Sequence, residues 1–148
     1  MLEAHCSVLL VEDDPHDATF VRETFDQAAI HHLLVTVTDG ADAIRYLKGD
    51  GPYADRQRFP MPSIVLLDLK LPNVNGFQVI KWVRSHPNTK RLPIIVLSGT
   101  PVPGDCAHAY ELGANSFITK PFGFHNFSTA INAMTEFWLE CCKLPNPG

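Results

Sequence analysis

Four places in this 148-residue chain put a reactive side chain at or directly after the end of a short apolar run. Glu12, Asp13 and Asp14 follow SVLLV, Asp68 closes IVLLD, Ser98 closes IIVLS, and Lys120 follows SFIT. A buried run that ends on a charge needs a partner for that charge or a task for it. Clustered carboxylates suit a hard cation such as Mg2+, which accepts one or two of them and keeps several waters. A carboxylate is also a nucleophile toward phosphorus, giving an aspartyl phosphate. Such a transfer needs positioning and charge neutralisation: a metal on the phosphate oxygens, an ammonium from Lys120, a hydrogen bond from Ser98. Taken singly, each residue has an ordinary use. Asp14 can cap a helix, the acids at 12–14 complement a helix dipole, Lys120 can be solvated and Ser98 can sit in a turn. Their shared placement at run ends is what suggests chemistry.

The elements that must position these residues alternate along the chain. Ser7–Val11 is expected as a buried strand. A helix over Pro15–Ala29 turns Ala18, Val21, Phe25 and Ala28 inward at spacings of three and four, with Asp14 as its cap. Leu33–Thr38 reads as a strand from its β-branched residues. Gly40–Lys48 reads as a helix with Ala43, Ile44 and Leu47 on its apolar face. Gly49–Pro62 is expected as a surface loop from its Gly, Pro and charge. Ile64–Asp68 is a strand, followed by a helix capped by Asn75 and running to about Ser85, with Phe77, Val79, Ile80 and Val83 apolar. Ile94–Ser98 is a strand. A weaker helix over Pro103–Leu112 is ended by Gly113. Ser116–Thr119 is a strand, and the last helix runs from Phe124 to about Cys142. Strand and helix alternate five times, which implies an α/β fold: a doubly wound parallel sheet with helices on both faces. In such a sheet all strands share one carboxyl edge, where ligands bind. Glu12, Asp13, Asp68, Ser98 and Lys120 are therefore expected to converge.

The totals narrow the function. A length of 148 residues favours one domain, and 45% apolar residues can fill its core. A net charge of −4 gives no reason to expect a nucleic-acid surface. No apolar run approaches the ~20 residues needed to cross a membrane, and MLEAHCSVLL lacks the pattern of a signal peptide; a cytoplasmic location is expected. Cys6, Cys106, Cys141 and Cys142 fit no zinc or C-x-x-C pattern and are expected as small apolar packing residues. The seven histidines are scattered, so metal binding through them is not expected.

VLLVEDDP, IVLLDLKLPNVNG, IIVLSGT and FITKPF, in this order and spacing, resemble the receiver domain of bacterial two-component response regulators. The resemblance runs from about Ser7 to Cys142. It implies a flavodoxin-like (βα)5 fold with strand order 2-1-3-4-5, one domain over residues 1–148 with a core at about 7–142 and a short tail at 143–148. It implies Asp68 as the acceptor of a phosphoryl group from a sensor kinase's phosphohistidine. Glu12, Asp13, Asp68 and the backbone carbonyl of Lys70 match the Mg2+ ligands. Ser98 matches the hydroxyl that follows the phosphoryl group, Lys120 the phosphate-pairing lysine with a cis bond to Pro121, and Phe117 the aromatic switch. Lys70 and Thr100 match positions that modulate hydrolysis of the acyl phosphate; a long cation at Lys70 either shields the phosphoryl group, giving slow autodephosphorylation, or simply points into solvent. The loop at 49–62 and the ending TEFWLECCKLP resemble stand-alone receivers partnered with phytochromes.

No output domain is expected in a chain of this length, so a signal is expected to leave through the receiver's own surface. In the last helix Phe127, Ile131, Met134, Trp138 and Cys141 share a stripe, while Phe137 lies about 100° from Trp138. Both rings are hard to bury in one core, which suggests a homodimer contact or a partner patch. Besides a non-phosphorylated scaffold receiver, against which the intact set Glu12, Asp13, Asp68, Ser98 and Lys120 argues, two other readings are weighed: a shuttle that passes phosphate to a histidine phosphotransfer protein, and a magnesium-dependent phosphatase of the haloacid dehalogenase type. The second needs another aspartate two residues after the nucleophile, where this chain has Lys70.

Overall fold

A computed structural model of the chain describes residues 7–27, 33–99, 101–120, 124–141 and 145–147. The strands are β1 (Ser7–Val11), β2 (Leu33–Val37), β3 (Ile64–Asp68), β4 (Ile94–Ser98) and β5 (Ser116–Thr119). The helices are α1 (Pro15–Gln27), α2 (Gly40–Lys48), α3 (Gly76–Ser85), α4 (Asp105–Leu112) and α5 (Phe124–Thr135). All strand pairs are parallel, in the order β2-β1-β3-β4-β5. This is the expected doubly wound, flavodoxin-like sheet.

Every residue of β1, β3 and β4 is buried, because helices cover both faces of the sheet. Alternate side chains feed two cores. On one face Leu9, Val11, Val65, Leu67, Ile94 and Val96 meet Ala43, Leu47, Val79, Ile80 and Val83. On the other, Val8, Leu10, Ile64, Leu66, Ile95 and Leu97 meet Val21 and Phe25 of α1 and Ile131 and Met134 of α5. Each Val, Leu, Ile, Phe or Met among them contributes about 1.5–3 kcal/mol on leaving water.

Caps set where the helices start. Asp14 Oδ1 accepts from the backbone N–H groups of His16 and Asp17, at 2.8 and 3.3 Å. Asn75 and Gln78 form a reciprocal capping box on α3. Gly76 admits no side chain: a Cβ there would lie 2.5 Å from the Asp68 carbonyl oxygen. The loop after Asp68 therefore folds back tightly onto the start of α3.

Some expectations shift. α4 starts at Asp105, not Pro103, because Gly104 takes the left-handed conformation, φ 94°, and stands as the N-cap outside the helix. β2 ends at Val37, one residue early. The described part of α1 ends at Gln27, with Ala28 and Ala29 outside the described residues. The last helix changes to a π-helical turn over Glu136–Cys141. At the change, the Thr135 hydroxyl donates back to the Ile131 carbonyl at 2.7 Å, a bond that loosens and bends helices. Cys106 is free and exposed rather than packed, since α4 buries only Ala109. Cys6 and Cys142 lie outside the described residues.

The segment at 49–62 is better packed than a bare surface loop. Gly51–Tyr53 forms a 3-10 turn, and Tyr53 and Phe59 pack edge-on or tilted against the fully buried Tyr46. Arg56 donates to the carbonyls of Tyr46, Leu47 and Phe59, which closes the C-terminus of α2.

Candidate functional site at the carboxyl edge of the sheet

Glu12 leaves β1 with its backbone N–H donated to the Val37 carbonyl at 3.0 Å, so its side chain stays buried, 2% exposed. Asp68 ends the central strand β3, beside Leu97 of β4 in register. The Lys120 N–H donates to the Ser98 carbonyl at 2.7 Å, which extends the β4–β5 ladder and carries the lysine to the same edge. Its ammonium then reaches across the sheet. It donates to Glu12 Oε1, to Asp17 Oδ2 at 2.8 Å and to Asp68 Oδ2 at 3.2 Å. The side chains of Lys120 and Asp68 are nearly enclosed, at 11% and 12% exposure, while Asp17 is 40% exposed.

Glu12, Asp13 and Asp68 each offer a carboxylate oxygen, and these oxygens lie within 4.8 Å of one another. The all-oxygen chemistry of the set suits a hard divalent ion.

The electrostatics follow from crowding. Burial, then the neighbouring Asp68, push the Glu12 carboxyl up to about 8, against the opposing pull of Lys120. Burial by itself would lower the Lys120 ammonium, but hydrogen bonds to Asp17 and Glu12 outweigh it and raise the group. Asp14 is held below its usual range by the His16 and Asp17 backbone N–H groups. The site thus holds an excess of carboxylates over one permanent cation, a deficit that a divalent ion would fill.

The remaining expected residues are placed as follows. Ser98 ends β4 and is buried. Phe117 is half-buried in β5, against the core on the α2–α3–α4 side. Lys70 is exposed, and its backbone N–H donates to Asp68 Oδ1 at 3.2 Å. Thr100 and Pro121, with the bond expected to be cis, fall outside the described residues.

Residues 8–132 match the family described as response regulator receiver domain. The chain belongs to this family. The receiver is 33% identical over 138 residues to response regulator Rcp1 of Synechocystis, covering 93% of this chain and 92% of that protein. A phosphorylated cyanobacterial phytochrome response regulator, RcpA, superposes with a TM-score of 0.89 at 36% identity, over 96% of this chain and 99% of its own. The Mn2+-bound form of Rcp1 superposes with a TM-score of 0.86 at 33% identity, over 95% of this chain and 99% of that one.

Reading the residues in order misses one partner of the receiver site. Asp17 stands in the first turn of α1, where an acid ordinarily serves the helix dipole. No local pattern in the sequence sets it apart from an ordinary acid in a first helical turn.

Proposed function

We propose that this receiver accepts a phosphoryl group on Asp68 from a sensor histidine kinase, in a Mg2+-dependent reaction, and signals through a protein surface that phosphorylation controls. The observation that carries the reading is the meeting of Asp68 with the Lys120 ammonium and with two further acids, buried Glu12 and exposed Asp13, at one strand edge. An Asp68 oxygen attacks phosphorus in line. The P–N bond to the donor imidazole breaks, its electron pair stays on the imidazole, and an acyl phosphate forms. Glu12, Asp13, Asp68 and the Lys70 backbone carbonyl would hold Mg2+, which neutralises charge on the phosphoryl oxygens. Lys120 supplies a second cation to the same oxygens and Ser98 a hydrogen bond. Movement of Ser98 toward the phosphoryl group lets the Phe117 ring turn inward, a local charge event read out as packing.

The likeness to RcpA and Rcp1 over nearly full length supports a phytochrome-type photoreceptor kinase as the donor, and a cytoplasmic location with it. Lys70, exposed beside Asp68, supports slow loss of the phosphoryl group by shielding it from water. Phe137 supports a homodimer through the C-terminal helix: it is 57% exposed, with its ring at 87° to that of Trp138.

The decisive experiment is intact-mass analysis after incubation with acetyl phosphate and Mg2+, beside Asp68→Asn. A gain of about 80 Da that requires Mg2+ and disappears in the variant is expected. No gain, together with no binding of beryllofluoride, would overturn the phosphoacceptor reading.

A further inference from the structure

The lysine and a bound cation would draw on the same carboxylates. The Lys120 ammonium has three N–H donors, and its three carboxylate partners are Glu12, Asp17 and Asp68. Glu12 and Asp68 also belong to the acid set that could close on a metal. A divalent ion drawn between them repels the ammonium at short range and competes for its acceptors. Lys120 is only 11% exposed, so an ammonium displaced without a partner would be a nearly buried, unpaired charge, which is strongly unfavourable. Asp17 is the one partner of Lys120 that lies outside the cation set. Its backbone is held at the capped start of α1 by Asp14, and its 40% exposure leaves the rest of its carboxylate to water.

We infer that Asp17 is a positioning residue, the standing anchor of the Lys120 ammonium that keeps it paired while a divalent cation takes Glu12 and Asp68. The inference rests on the cation site of the proposed function and adds to it the group that lets both cations be accommodated. With Asp17 neutral, Lys120 has only the metal's own ligands to pair with, and metal binding must oppose it directly.

Calorimetric titration of the metal-free full chain with Mg2+ tests this in wild type, Asp17→Asn, Lys120→Met and the double variant. Asp17→Asn is expected to weaken Mg2+ binding roughly threefold to tenfold, the scale of one partly exposed charge-assisted hydrogen bond. Lys120→Met is expected to tighten binding, and Asp17→Asn in that background to change it little. Asp17→Glu is expected to keep most of the wild-type affinity. Lys120→Gln replaces Lys120→Met if the latter does not fold. An equal loss on Asp17→Asn with and without Lys120 would reduce Asp17 to background charge and overturn the inference. So would an unchanged affinity in Asp17→Asn, or absence of Mg2+ binding to the wild type. The same wild-type sample treated with acetyl phosphate separates the two readings: Mg2+ binding that follows the expected pattern without a phosphoryl adduct supports the role of Asp17 and sinks only the phosphoacceptor assignment.

Discussion

Glu12 shows how one buried carboxylate couples the site to stability. Its folded-state value of about 8 lies above the ordinary 4.5. A group raised on folding contributes stability that is fully present below its unfolded value and is lost as pH rises through the folded one. Metal-free wild type is therefore expected to lose stability relative to Glu12→Gln as pH goes from 5 to 8. Thermal unfolding of both proteins at several pH values checks this; a difference independent of pH would mean that Glu12 is not held protonated by its surroundings. Much of the residue-scale picture was legible in the sequence. Asp68 and Ser98 close their apolar runs and Lys120 directly follows one, so their address is written locally. Asp17 was not legible, because its role depends on a lysine brought from 103 residues away.

At the scale of elements, single side chains tie segments that the sheet alone does not join. Arg84 of α3 donates from Nε and Nη2 to the Gly113 carbonyl, from Nη2 to Asn115 Oδ1, and from Nη1 to the carbonyls of Lys90 and Leu92. It fixes the α4–β5 turn, where Gly113 holds φ 112° as the α4 cap. A lysine cannot reproduce this fork. Arg84→Lys is expected to cost about 1–3 kcal/mol in urea unfolding, from orphaned buried carbonyls. Tyr46 plays a similar part in the 49–62 segment, with its hydroxyl donated to the Pro60 carbonyl at 2.9 Å. Tyr46→Phe is expected to cost roughly 0.5–1.5 kcal/mol, measured the same way, if that bond holds the loop. The helix starting at Gly76 and the strands β3, β4 and β5 were readable from caps and apolar runs. The π-helical end of the chain was not, since helical spacing alone does not reveal a back-bonded Thr135.

Across the whole molecule, one parallel sheet gathers dispersed residues at one edge, while the last helical segment leaves Phe137 exposed. Phe137→Glu is expected to shift a dimer toward monomer without unfolding it, because the ring is already 57% exposed. Sedimentation across a concentration range checks this; a wild type that stays monomeric throughout would remove the dimer proposal. Among the described residues, no helix is long and apolar enough to cross a membrane. The sequence by itself determined the alternation of strands and helices, the double coverage of the sheet and the acids, hydroxyl and lysine at its carboxyl edge. These follow from short-range facts: unbroken apolar runs, caps, and the side chain that closes each run. The tertiary structure alone decided that Asp17 shares the Lys120 ammonium and that Tyr46 is buried under a folded loop. Those outcomes depend on distances between segments far apart in the chain, which no local pattern encodes.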